Sequence, residues 1–166
     1  MRPIFKILVV LVLSLTGCAS YKLGAVHDPG FKTIFVENLK SDVDEPGLEN
    51  LVSTTIVRAI QNDGTVQVTT PETADVILRG RITKFEMSPV LYSRSNEITP
   101  TEATMNIGVT YTMSRRGEKT PYYHGNAAGT TTLFIGSDLQ SDKRQGVPLA
   151  AEDLGRKIVS QFADAW

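Results

Sequence analysis

The residue whose chemistry the sequence defines best is Cys18, the only cysteine among the 166 residues. It follows Leu15, Thr16 and Gly17, a string that looks like a lipobox, in which small residues let a peptidase reach the bond before a cysteine already thioether-linked to diacylglycerol. Each buried acyl methylene contributes about 0.8 kcal/mol, so two or three chains hold a protein at a membrane where one would not. The alternative is that Cys18 is an ordinary core thiol. That alternative does not explain why the single cysteine falls at the position that such a signal requires. We therefore predict that Cys18 carries the lipid and becomes the first residue of the mature protein.

The segment before Cys18 has the order of parts of a secretory signal peptide. Arg2 and Lys6 precede an apolar run from Ile7 to Leu13, which is too short to cross a bilayer, since a helix needs roughly 20 apolar residues to do so. Residue 19 is Ala rather than Asp, which by the usual sorting rule predicts the outer membrane, with the protein lipid-anchored on its periplasmic side. Three parts are predicted: a signal peptide at 1–17, a lipidated N-terminus and short tether at 18–30, and a single α+β domain at 31–166.

Constellations that could support catalysis or metal binding are sparse in the remainder. His27 and His124 have no second His or Cys at ligand spacing. Asp42, Asp44 and Glu45 precede a predicted helix, where carboxylates offset the positive end of the helix dipole, and they lack the pattern of a calcium loop. The sequence therefore predicts no enzyme, no metal site and no cofactor.

The basic residues are the other candidates for contacts. The signal peptide holds two of the 17 basic residues and none of the 18 acidic ones, so the mature chain has 15 against 18, which argues against a nucleic-acid binder. Arg79 and Arg81 alternate onto one face of a predicted strand, which they share with Ile77 and Phe85, and Phe35 is expected on the same side of the sheet. Charges on an exposed strand face are usually only solvated. The apolar side chains on this face are more numerous than a solvent-exposed face usually carries. A second hypothesis is therefore that this face of the sheet contacts a partner.

Hydrophobic periodicity predicts the elements that must position these residues. Apolar residues at helical spacing predict one helix that begins at Pro46 and stops at Asn62-Asp63-Gly64, and a second that begins at Pro148. Alternating patterns predict strands at 31–37, 65–69, 75–87, 103–114 and 122–135, separated by turns at 38–44 and connections at 89–100 and 136–146. The last three strands suit an antiparallel meander. We predict an α+β fold with two amphipathic helices packed on one face of a mainly antiparallel four- to five-stranded sheet.

Four segments carry a resemblance to a known family: Tyr21-Lys22-Leu23-Gly24, the strand from Lys32 to Val36, Glu45-Pro46-Gly47-Leu48-Glu49, and Ala74-Asp75-Val76-Ile77-Leu78-Arg79-Gly80-Arg81-Ile82. Together they resemble the lipopolysaccharide-assembly lipoproteins called LptE. The likeness covers nearly the whole mature chain through short motifs.

The resemblance implies an outer-membrane lipoprotein that sits as a plug inside a large β-barrel translocon, an LptD-like partner. There it would help the barrel to fold and help to pass lipopolysaccharide to the cell surface, without catalysis. The family's fold, two helices against a mainly antiparallel four-stranded sheet, agrees with the predicted element order. If lipid A phosphates are contacted, the expected donors are the basic residues of the strand-connecting turns, because guanidinium groups bind phosphate bidentately. These residues are Arg94, Arg115, Arg116 and Lys119, and solvated turns are the alternative.

A lipoprotein activator that docks on a periplasmic cell-wall synthase is a rival from another class. Such proteins usually carry a long disordered tether. Here about a dozen residues separate Cys18 from the first strand, a reach of at most roughly 40 Å. The domain is therefore predicted to work close to its membrane.

Overall fold

The structure, a computed structural model, describes residues 29–92, 100–136 and 138–162. Its elements follow the predicted order, and their bounds are β1 (Thr33–Val36), β2 (Lys40–Ser41), α1 (Leu48–Asp63), β3 (Gln67–Val68), β4 (Val76–Tyr92), β5 (Pro100–Arg115), β6 (Tyr123–Phe134) and α2 (Leu139–Ser160). The short strand β2 was not predicted, since it lies in the stretch assigned to a turn. β4 and β5 also extend into the predicted connection at 89–100.

The strands form one curled, mixed sheet in the order β3-β1-β4-β5-β6, with β2 also paired to β4. β4, β5 and β6 are antiparallel neighbours, which confirms the predicted meander. The short strands β1, β2 and β3 pair in parallel, so the sheet is mixed. Both helices pack on one face of this sheet, and the predicted α+β architecture is confirmed.

The core lies between that sheet face and the two helices. Every second residue is buried there in β1, in the first half of β4 and along β5, as the alternating patterns predict. The largest fully buried side chains are Ile34, Leu48, Ile56, Ile60, Leu78, Ile82, Met105, Ile107, Met113, Leu154, Ile158 and Val52.

A β-bulge at Thr83 changes which side chains of β4 face the helices. Ile82 pairs with Val109 and Lys84 with Gly108, so Thr83 is an extra residue on the β4 side. Because side chains alternate strictly along a strand, one extra residue moves everything after it to the opposite face. Phe85 therefore packs against the core, not beside Arg79 and Arg81. Its predicted place on the open side of the sheet was wrong.

Phe85→Ala should lower the free energy of unfolding by about 2 kcal/mol, because it removes a half-buried ring from the core side of the sheet. Lys84→Ala, one residue away on the opposite face, is the matched control and should cost less than about 1 kcal/mol. Urea denaturation of both variants measures the difference. Equal losses would contradict the face assignment after the bulge.

α2 begins nine residues before the predicted start at Pro148 and runs through that proline. Proline is most common in the first turn of a helix, and Gly146 disfavours helix, so the local pattern favoured a loop at 136–146. Packing reverses that preference, since a Cβ on Gly146 would lie 2.9 Å from Met105 Cε and from Leu133 Cδ2. The helix therefore passes close to the sheet here, and a larger residue would have to displace the ends of these two side chains. Asp138 caps its start by accepting a hydrogen bond from the Gln140 backbone N–H at 3.0 Å.

Candidate interaction surface

The second face of the sheet has no helix over it in the described part of the chain. We call it the open face, and we define it by the residues of β4, β5 and β6 that point away from the helices. Its members include Ile77, Arg79, Arg81, Lys84, Glu86, Thr104, Asn106, Thr110, Thr112, His124, Asn126, Ala128, Thr130 and Thr132. Half of these are hydroxyl or amide side chains. The surface can therefore make many hydrogen bonds without a strong charge.

The predicted arginines do lie on this face, but each is paired with an acid from the segment after β1. Arg79 Nε lies 2.7 Å from Glu37 Oε2, and Arg81 contacts the Asp42 carboxylate. Lys84 Nζ pairs with Glu86 Oε2 at 2.9 Å. These side chains are about half exposed, so each pair contributes little to stability. Their effect is to leave the cations of β4 neutralised.

The acidic group before α1 serves other contacts than those predicted. The N-cap of α1 is Gly47, which makes no side-chain cap, while Asp42 pairs with Arg81 on β4. Glu45 Oε2 lies 2.6 Å from Lys143 Nζ of α2, and that ammonium lies 5.4 Å from the Phe85 ring centroid. Neither of these two carboxylates caps the start of α1. Glu45 instead joins the connection before α1 to α2.

A shallow depression of about 600 Å³ lies in the middle of the open face. Side chains from three neighbouring strands line it, among them Arg79, Arg81, Thr110, Thr112, His124 and Asn126. His124 is exposed there, and the described residues hold no group of three His, Cys, Asp or Glu side chains that could bind a metal ion. His27 lies outside the described residues.

The structure describes three of the four predicted phosphate contacts. Arg115, Arg116 and Lys119 lie in and beside the turn between β5 and β6, which we call the cationic turn. Arg94 lies outside the described residues.

Two members of the cationic turn already contact the protein. The Arg115 Cζ atom lies 5.7 Å from the Tyr122 ring centroid, and Arg116 Nη1 donates to the Glu72 carbonyl. Burial raises the pKa of the Tyr122 phenol, an effect that the Arg115 charge opposes. Lys119 is exposed.

The cationic turn lies at the end of the sheet where the described chain begins. Gly30, Lys32, Asp75, Arg115 and Arg116 line one depression there. Asp75 Oδ2 accepts hydrogen bonds from the backbone N–H groups of Lys32 and Thr33, at 3.1 and 3.0 Å. The Thr33 side chain first, and then these backbone donors, hold the pKa of Asp75 below its usual value. The start of the domain is thus fastened beside the cationic turn. Cys18 lies outside the described residues.

The pairings on the open face had no signal in the sequence. Glu37 and Arg79 are 42 residues apart, and Asp42 and Arg81 are 39 apart. Parallel pairing of β1 with β4 brings Glu37 to Arg79. Parallel pairing of β2 with β4, in a segment at 38–44 that looked like an ordinary turn, brings Asp42 to Arg81. No helix in the described ranges is long and apolar enough to cross a membrane.

Two helices on one face of a curled sheet, with the opposite face polar and uncovered, define a small α+β domain with a broad surface for association. A family model described as LptE, lipopolysaccharide-assembly, matches residues 31–164. The chain belongs to this family of non-enzymatic assembly lipoproteins, and the resemblance seen in the sequence is confirmed.

Solved structures share the fold at low identity. A hypothetical protein from Chlamydia trachomatis is 11% identical over 81% of this chain and 97% of that chain, with a TM-score of 0.58. A minor lipoprotein from Acinetobacter baumannii is 14% identical over 81% and 94%, with a TM-score of 0.54. A lipoprotein from Caulobacter crescentus is 12% identical over 76% and 88%, with a TM-score of 0.52. No curated protein sequence matches the chain.

Proposed function

We propose that this chain is an outer-membrane lipoprotein, anchored on the periplasmic side through Cys18, that forms a plug or scaffold complex with an LptD-like β-barrel translocon. In that complex it assists lipopolysaccharide assembly at the cell surface. The family match over residues 31–164 is the observation that carries this proposal. The proposal also includes the signal peptide at 1–17 and the tether at 18–30.

The polar side chains of the open face support the proposal that the domain lies inside a barrel. The lumen of a large outer-membrane barrel is polar and hydrated, so a plug must present hydrogen-bonding groups and not an apolar patch. β5 and β6 present Thr104, Thr110, Thr112, Thr130 and Thr132 on that face. Because Arg79, Arg81 and Lys84 are paired with acids, the face would repel neither sign of charge on the barrel wall.

The proposal is tested by crosslinking in outer membranes, after affinity recovery of the tagged, lipidated protein. A photo-crosslinking amino acid at Thr110 or Thr132, both exposed on the open face, should give adducts with one large β-barrel protein. The same group at Arg58 or Glu152, exposed on the helices, is the matched control and should give at least several-fold fewer adducts. Mass spectrometry identifies the partner. Recovery of a cell-wall synthase, or of no reproducible partner, would overturn the plug assignment.

We further propose that the cationic turn and Arg94 contact lipid A phosphates. Charge reversal by Lys119→Glu or by Arg94→Glu should each weaken lipopolysaccharide binding several-fold. The two losses should multiply in the double variant, because Arg94 and Lys119 belong to different strand connections and are expected to act independently. Binding of labelled lipopolysaccharide to the purified protein measures this. Arg58→Glu on α1 is the control. If the two variants lost no more lipopolysaccharide binding than this control, the turns would be solvated and would not contact phosphate.

A further inference from the structure

β6 is the last strand of the sheet and pairs on one side only, with β5, among the described residues. Edge strands usually carry charges, proline or a bulge, which stop a second chain from adding to their free N–H and C=O groups. The 12 residues of β6 contain no Lys, Arg, Asp, Glu or Pro, and their pairing with β5 runs without a bulge. The sequence of the strand therefore provides no protection of its own.

Side chains of α2 occupy the free edge instead. Asp153 Oδ2 accepts from the Thr130 backbone N–H at 3.0 Å. Lys157 Nζ donates to the Ala128 carbonyl at 2.9 Å, and Gln161 Nε2 donates to the Asn126 carbonyl at 3.1 Å. We call Asp153, Lys157 and Gln161 the edge ladder.

The spacing of the edge ladder matches the strand that it covers. Its members are four residues apart along the chain, a rise of about 6 Å in a helix. Their partners at 130, 128 and 126 are two residues apart, a rise of about 6.6 Å in a strand. Helix and strand run in opposite directions here, so each step along α2 meets the next outward-facing group of β6.

Further contacts hold the edge ladder in place. Lys157 Nζ lies 2.8 Å from Asp153 Oδ2, and the Tyr111 hydroxyl donates to Gln161 Oε1 at 2.7 Å. Gly129 lets α2 approach the strand, because a Cβ there would lie 2.0 Å from the Ala150 carbonyl oxygen. The hydrogen bond from Lys157, more than that from Thr130, keeps the pKa of Asp153 below its usual value, so the carboxylate stays ionised at neutral pH.

We propose that the edge ladder takes the place of a seventh strand, and that the occupant it excludes is β6 of a second copy of this chain. A two-fold axis through Ala128 would place His124 opposite Thr132 and Asn126 opposite Thr130, in antiparallel register. No like charges meet in that pairing.

The test uses the lipidated protein in detergent, where acylated Cys18 offers no thiol. Ala128→Cys places one thiol at the two-fold axis, where paired Cα atoms about 5.5 Å apart permit a disulfide. With the edge ladder intact, little disulfide-linked dimer is expected on a non-reducing gel. Adding Asp153→Ala and Lys157→Ala should raise the dimer at least fivefold. Adding Glu152→Ala and Arg58→Ala instead, at exposed helix positions outside the edge ladder, should leave it at the starting level. An equal yield in all three proteins would overturn the proposal.

Hydrogen exchange on the wild-type protein tests the same idea without depending on a variant that folds. The Thr130 amide, bonded to Asp153, should exchange at least tenfold more slowly than the Thr132 amide, whose outward-facing N–H is not bonded by any described residue. Equal rates at the two positions would show that the edge ladder does not close the edge and would overturn the proposal.

Discussion

Gly129→Val is expected to lower the free energy of unfolding by about 3 kcal/mol, a large part of the stability of a domain of this size. The Cβ of any larger residue would lie 2.0 Å from the Ala150 carbonyl oxygen and 2.6 Å from the Leu154 backbone nitrogen. Both atoms belong to the backbone of α2, so no side-chain rotation relieves the clash. The helix would have to lift from the sheet and uncover the residues that it buries, which include Ala151 and Ile158.

Ala128→Val is the matched control for that variant. Residue 128 is the neighbour of Gly129 on β6, but its side chain is exposed on the open face. Valine suits a strand there, so the change should stay within about 0.5 kcal/mol. Urea denaturation of both proteins gives the comparison. A Gly129→Val protein as stable as Ala128→Val would mean that α2 does not lie on β6 as closely as the structure shows.

Cys18→Ser should remove the protein from the outer-membrane fraction almost completely. Thioether attachment of diacylglycerol needs sulfur, and the hydroxyl of serine cannot replace it. The acyl chains supply nearly all of the membrane affinity in this proposal, at about 0.8 kcal/mol for each buried methylene. Membrane fractionation gives the distribution, and intact-mass measurement shows whether the lipid is present.

Ser20→Ala is the control for Cys18→Ser, since it changes a neighbouring residue and leaves the lipobox string intact. It should remain lipidated and fractionate as the wild-type protein does. If Cys18→Ser stayed in the outer membrane in the same amount as this control, the lipid anchor would have to be abandoned. The domain would then be held there by protein contacts alone.

Much of the fold could be predicted because its strongest signals are local. The apolar stripe of α1 ends at Gly64, whose φ of 73° and N–H bond to the Ile60 carbonyl match the glycine end of a helix. The alternation of apolar residues from Ala103 to Met113 correctly predicted which face of β5 is buried. These patterns follow from the periods of the helix and the strand, which do not depend on distant residues.

The candidate site was less accessible to sequence reasoning. Arg79 and Arg81 were correctly placed on the open face, but their acidic partners were not, because the two ion pairs depend on β1 and β2 each lying parallel to β4. The edge ladder gave no recognisable motif. Asp153, Lys157 and Gln161 are ordinary polar residues of a helix until β6 lies beside them.

By itself, the sequence determined the order of the elements, the two helical stripes, the alternation of the long strands and the likeness to the LptE family. Only the tertiary structure decided that Thr83 turns Phe85 toward the core, that α2 extends back to Leu139 through Pro148, and that α2 closes the edge of β6. The physical reason is the same in each case. Each of these three features costs free energy locally: the bulge, the helix of poor local propensity, and the hydrogen bond from a helix side chain to a strand edge. Contacts with residues far away in the chain offset that cost.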